Sequence, residues 1–339
     1  MSRPPKLRIG VIGVGHMGQY HLNVLSTMLT THKLVGVYDV NHEHANEKVA
    51  NYETRAFANL DSLLERCEAV TIAVPTHLHY EIAKKALNHD CHVLLEKPIT
   101  ETVEQAEELA ELAKEKGKIL QVGHVERFNG AVMELHKIVT EPLMIETRRS
   151  SPFTPRIQDV GVVLDILIHD LDIVINLVDS KITDYFATGR AVLSKHEDIA
   201  IINLKFENGC VASLVGSRVS QNKERTLEIT QDKSYIFLNY ANQDIEIHRQ
   251  ASTAYLMTKE EIKYSQESFV EKLYVHKDNP LKSEHKHFYD CIVDGVAPLV
   301  PNEKDIETLK IALDSMRQIG EVIQKDNDGK NDIVAKTGS

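Results

Sequence analysis

Leu7-Arg8-Ile9-Gly10-Val11-Ile12-Gly13-Val14-Gly15-His16-Met17-Gly18 carries an apolar, β-branched run straight into a Gly-x-Gly-x-x-Gly sequence. In that context each glycine has its own physical task. Gly13 permits a tight turn, Gly15 lets backbone approach a pyrophosphate, and Gly18 lets a helix pack closely on the strand before it. The helix that opens there offers free N–H groups and the positive end of its dipole. Asp39 lies 21 residues beyond Gly18, at the end of the next β-branched run. A carboxylate at that place accepts hydrogen bonds from ribose hydroxyls and repels a 2′-phosphate, so NAD is expected rather than NADP. Arg55 is the residue that would argue the other way.

Outward from this stretch, β-branched runs at 7–13, 34–39, 69–74, 92–95 and 119–122 alternate with amphipathic segments at 17–28, 42–51, 60–66, 78–88 and 103–115. That rhythm predicts βαβ units and a parallel sheet. Thr100 is the expected cap of the last of these helices. After His124 the rhythm changes. One long apolar segment, 160–178, precedes strand-like runs at 182–192, 200–206, 211–217, 226–230 and 235–238, with hairpin turns such as Asn208-Gly209. Helices are expected at 281–294 and 303–324. The fold class is therefore α/β: a Rossmann dinucleotide-binding domain at 1–124, an α+β domain with an open, mainly antiparallel sheet at 125–325, and a mobile polar tail at 326–339.

The chain has 339 residues, which suits two domains, and 42% hydrophobic with 26% charged residues is the composition of a globular protein. A formal charge of −11 speaks against nucleic acid and anionic lipid as partners. No apolar stretch reaches the roughly 18 residues of a membrane span, and residues 1–6 hold no leader-like run, so neither membrane insertion nor export is expected and the location expected is cytoplasmic. Cys67, Cys91, Cys210 and Cys291 are scattered and read as buried free thiols. The pairs His42/His44, His77/His79 and His285/His287 have no nearby cysteine or third ligand, so they read as surface or capping residues and no metal is expected.

Ala73-Val74-Pro75-Thr76-His77-Leu78-His79, then His92-Val93-Leu94-Leu95-Glu96-Lys97-Pro98, then Asp165, His169, Asp170 and Asp172 resemble, in order, the motifs of the Gfo/Idh/MocA oxidoreductases. Thr76 and Asp90-Cys91 depart from the usual pattern at peripheral positions. Gln121 to Asn129 and Arg148 to Asp172 are similar to the branch of that family that oxidises the 3-hydroxyl of UDP-N-acetylglucosamine for the diamino sugar of lipid A. The resemblance implies an NAD-dependent sugar dehydrogenase, a nucleotide-sugar or polyol substrate, a downstream aminotransferase, and a homodimer or homotetramer. It also implies cofactor contacts from Gly13, Gly15, His16, Met17, Gly18, Asp39, Pro75, Thr76, His79, Glu96 and Lys97. An inositol or other sugar dehydrogenase, or a non-catalytic NAD-binding sensor, is the alternative reading.

Lys97 follows the fifth strand at the carboxyl edge of the sheet, where open α/β sheets hold their ligands, and Pro98 restricts its backbone. Asp165 and His169 are four apart in an apolar helical segment, so they share a face about one turn apart. Oxidising a secondary alcohol needs a positioned base for the hydroxyl proton. His169 is assigned that proton, Lys97 the oxygen's developing charge, and Asp165 the orientation of the pair, with the division between Lys97 and His169 open. Arg127, Arg148, Arg149 and Arg156 are candidates to meet an anionic group, and His124 and Asn129 to bond sugar hydroxyls or an acetamido group.

Overall fold

A computed structural model describes residues 6–154, 160–257 and 262–337. Its first sheet is built from β1 (Leu7–Ile12), α1 (His16–Thr27), β2 (His32–Tyr38), α2 (His42–Val49), β3 (Ala56–Phe57), α3 (Leu60–Leu64), β4 (Ala69–Ile72), α4 (His79–Asn88), β5 (His92–Glu96), α5 (Val103–Glu115) and β6 (Leu120–Gly123). All pairings are parallel, in the order β3-β2-β1-β4-β5-β6. This is the doubly wound arrangement with its switch point beside β1. The strands are apolar on both faces, as Ala69, Val70 and Ile72 in β4 show, because helices cover both sides of a parallel sheet. The helix expected to start at Thr100 starts two residues later: Thr102 Oγ1 accepts from Gln105 N at 3.3 Å, while Thr100 Oγ1 donates to the Thr102 carbonyl at 2.7 Å.

The second sheet follows α6 (Gly130–Ile138) and comprises β7 (Met144–Ser150), then, after a π turn (Val163–Leu167) and α7 (Ile168–Leu177), β8 (Ile182–Arg190), β9 (Ile199–Phe206), β10 (Val211–Ser217), β11 (Glu224–Gln231), β12 (Ser234–Asn239), β13 (Asp244–Met257) and β14 (Ile262–Leu273). The order is β14-β13-β12-β11-β7-β10-β9-β8. Pairing is antiparallel except between β7 and β10. Ile145, Ile202, Leu214, Leu227, Ile229, Ile236 and Leu238 alternate onto one face and form a core with Leu171 and Ile175 of α7. Each fully buried aliphatic side chain contributes about 1.5–3 kcal/mol, which fixes the register, since a one-residue slip would turn that set to the other face.

Two helices close the chain, α8 (Pro280–Val293) and α9 (Asn302–Thr337). The chain divides into one unit of residues 1–128 with 278–310 and another of 129–277 with 311–339. By its contacts the first unit runs on past the expected boundary at 124 to Phe128 and takes in the later segment 278–310 as well. The cause is α8, whose Phe288 and Tyr289 are buried in the same core as Leu22, Leu25 and Leu94 of the first unit. Helical backbone also continues to Thr337, through the stretch expected as a tail from 326. No proline follows Pro301 to interrupt the backbone ladder. All four cysteines are free and buried. Among the described residues no helix is long and apolar enough to cross a membrane.

Candidate active site

The glycine turn has the shape its sequence predicts. Gly13 has φ of 84°, and a Cβ there would stand 2.5 Å from the Ala73 carbonyl oxygen; a Cβ on Gly18 would overlap the Gly13 oxygen. At Gly15 the Cβ direction is open, with no atom within 4 Å. Gly15 is also the N-cap of α1 and offers no side chain to the first N–H groups, leaving them to a ligand. Asp39 is tied to this turn: Oδ2 accepts from Val14 N and Oδ1 from Asn41 N, each at 2.9 Å. A carboxylate has lone pairs beyond these two bonds, so it can still receive ribose hydroxyls. The turn thus fits a dinucleotide. His16 is exposed and Met17 half-buried beside it.

Pro75 and Thr76 open a short turn after β4, exposed and half-buried respectively. His79, expected to touch the cofactor, is instead buried behind these loops. Its Nδ1 lies 2.8 Å from the Pro98 carbonyl and its Nε2 2.9 Å from that of Val74, so it ties the end of β4 to the end of β5. Burial holds its pKa below the ordinary value against the pull of those carbonyls.

Lys97 is half-buried, joined to Pro98 by a cis peptide bond. Glu96 beside it is buried: Oε1 lies 2.7 Å from His21 Nε2, and Oε2 accepts from Lys97 N at 3.3 Å. Burial alone would raise the Glu96 pKa, but the hydrogen bond from His21, with Lys97, holds it below the usual value. Behind it, His21 Nδ1 lies 2.9 Å from Nε2 of His285 on α8. His285 is fully buried, which corrects its reading as a surface or capping residue. Glu284 is also fully buried, and burial followed by the charge of Glu96 raises its pKa well above the usual value, with Arg127 pulling the other way. Neither His21 nor Glu284 was singled out by the sequence. The signal was present: both lie at the core-facing period of amphipathic helices.

In the second unit, Asp165 stands in the π turn and His169 in the first turn of α7. Both are half-buried while Leu167, Ile168 and Asp170 around them are buried. Single π turns recur at functional sites because they re-aim side chains within a helix. Asp170 accepts from Arg149 Nε at 2.7 Å, and the Arg149 guanidinium lies 4.4 Å from the Tyr240 ring centre. Asp172 accepts from Asn176 Nδ2 at 3.2 Å.

Four of the residues expected to hold substrate, His124, Arg127, Asn129 and Arg149, are buried. Arg127 is buried in an ion pair with Asp305, and Arg149 in one with Asp170, so neither guanidinium stands open for a phosphate. Asn129 caps α6 through Oδ1 to Ala131 N at 3.1 Å and donates to the Tyr240 carbonyl at 3.2 Å, and His124 is buried. The cause is common to all four: they sit on the inward side of their elements, where polar groups must find partners. Arg148, one residue along β7, is exposed. Arg156 lies outside the described residues.

Two family models match: "Oxidoreductase family, NAD-binding Rossmann fold" over residues 7–124, and the GFO/IDH/MocA C-terminal domain over 127–237. A UDP-N-acetylglucosamine 3-dehydrogenase of Acidithiobacillus ferrooxidans is 36% identical over 73% of this chain and 79% of its own. An inositol 2-dehydrogenase/D-chiro-inositol 3-dehydrogenase of Lacticaseibacillus casei is 31% identical over 52% and 54%. A solved structure of an A. ferrooxidans UDP-N-acetylglucosamine 3-dehydrogenase superposes with a TM-score of 0.85 at 30% identity, covering 93% of this chain and 98% of that one.

Proposed function

Since this chain belongs to the Gfo/Idh/MocA oxidoreductases, whose first domain is an NAD-binding Rossmann fold, we propose that it oxidises the 3-hydroxyl of UDP-N-acetylglucosamine to a 3-keto nucleotide sugar with NAD. The observation that carries the substrate is the likeness to a UDP-N-acetylglucosamine 3-dehydrogenase, which takes in 79% of that relative against 54% of the inositol dehydrogenase. NAD, when bound, supplies the hydride acceptor. Gly13, Gly15 and Gly18 give its pyrophosphate room beside the first N–H groups of α1, and Asp39 receives the ribose hydroxyls. Lys97 donates a hydrogen bond to the alcohol oxygen and balances the charge that grows there. His169 takes the hydroxyl proton, and Asp165 orients the imidazole. The ketone formed is the substrate class of an aminotransferase, which suits a place before amination in lipid A-type sugar synthesis. Copies are assigned to meet on the outer face of the eight-stranded sheet, where Phe186 and Val211 are 58% and 43% exposed, as a homodimer or homotetramer.

The test is NADH formation by the purified protein, with an amine present to trap the ketone. Absorbance should rise with UDP-N-acetylglucosamine and stay flat with free N-acetylglucosamine and myo-inositol. A faster rise with myo-inositol would replace the nucleotide sugar by a polyol. No rise with any of them, alongside tight NAD binding, would favour a sensor.

A further inference from the structure

We propose that His285 and His21 are positioning residues that hold Glu96 as a buried carboxylate and so keep the neighbouring Lys97 cationic. The inference rests on the reading of Lys97 as the group that meets the substrate oxygen, and it settles which partner accepts the proton.

In this proposal each imidazole carries one proton. A carboxylate only accepts, so His21 Nε2, at 2.7 Å from Glu96 Oε1, carries hydrogen. With one proton on each ring, His21 Nδ1 accepts and its neighbour at 2.9 Å, His285 Nε2, donates. This leaves His285 Nδ1 as a bare lone pair, which suits its position: it is buried with no hydrogen-bond partner among the described residues, where an orphaned N–H would be costlier. The side chains of His21 and Glu96 are 0% and 10% exposed, so the chain runs through protein interior.

The groups facing this chain do not compete with it. From β2, His32 meets the His285 ring edge-on, and its pKa is lowered to about 4 by burial. His285 itself is pushed well below its ordinary value by burial. Tyr289 of α8 packs on His32. Burial raises the pKa of Glu284, which faces Glu96 and Arg127, well above the usual value, and lowers that of His79 of α4, which feels Glu96. Glu96 is thus a buried charge next to Lys97. Their coupling is mutual: the Lys97 charge favours ionised Glu96, so ionised Glu96 favours protonated Lys97. A lysine held as a cation cannot take the hydroxyl proton, which leaves that task to His169.

Two readouts test this. In the pH profile of kcat with UDP-N-acetylglucosamine and NAD, loss of the Lys97 proton sets the alkaline limb. Glu96→Gln and His21→Leu should move that limb to lower pH by about one to three units, the usual effect of one nearby charge. His285→Leu should move it in the same direction by less. His285→Gln, whose amide N–H still donates to His21 Nδ1, should restore the parent profile. A limb that stays in place in Glu96→Gln, or a glutamine variant that behaves like the leucine one, overturns the proposal. Nitrogen NMR of the imidazoles reads the chain without turnover: both rings should be Nε2–H tautomers at neutral pH, and an Nδ1–H tautomer at His285 refutes it. Lys97→Met that keeps its turnover refutes the premise instead, and the NMR result then shows that the fault lies there and not in the chain.

Discussion

Lys97 and His169 are each assigned one half of the alcohol's chemistry, and each assignment has its own substitution. His169→Asn and Lys97→Met should lower kcat by about 10²- to 10⁴-fold, because each removes a group assigned to the reacting oxygen. NAD affinity, followed by quenching of protein fluorescence, should stay unchanged, since the glycine turn and Asp39 are untouched. An equal loss of NAD binding would show the substitution to be structural. Burial decides the roles of other residues just as plainly. His79 was expected to touch cofactor through its motif, but its two ring nitrogens face backbone carbonyls.

At the scale of elements, Arg149 and Asp170 join β7 to α7, the helix that carries His169. Their side chains are 3% and 0% exposed, so removing one partner strands a charge in the interior. Arg149→Met or Asp170→Leu should each cost about 3–5 kcal/mol, and the double substitution should recover much of it. Urea unfolding followed by circular dichroism measures this. Additive losses would mean that the pair is not coupled. The same helix shows where local reading stops. The four-residue spacing of Asp165 and His169 predicts one α-helical turn, yet the turn is a π turn, a winding set by packing that the sequence pattern does not display.

For the whole molecule, buried ionisable groups make stability depend on pH in two opposed ways. His32 is held neutral in the fold, with its pKa lowered from 6.5 to about 4, so the unfolded chain binds the extra proton and stability falls as pH drops through that window. Glu284 is held protonated well above 4.5, so the folded chain binds the extra proton and stability falls as pH rises past that value. Glu284→Gln should therefore flatten the decline on the alkaline side, seen in thermal midpoints across pH, and leave the acid side unchanged. A parallel shift of the whole curve would refute the role of ionisation. Self-association is tested separately. Phe186→Glu, on the outer face of β8, should reduce the mass seen by sedimentation, and an unchanged mass would move the interface elsewhere.

The glycine turn, Asp39, the alternating β and α segments and the change of rhythm near residue 124 were all legible in the sequence. They depend on local backbone geometry and on periodicity, which neighbouring residues encode. The strands β13 and β14 have no counterpart among the expected ones, although Ile245 and Ile247 alternate with Glu246 and His248. What only the tertiary structure decided is who pairs with whom. His21 and His285 are 264 positions apart, and Arg127 and Asp305 are 178 apart. No local pattern links such residues. They become partners because residues 278–310, α8 and the start of α9, return to the first unit, and every polar group carried inside with them must be paired, neutralised or held by its neighbours.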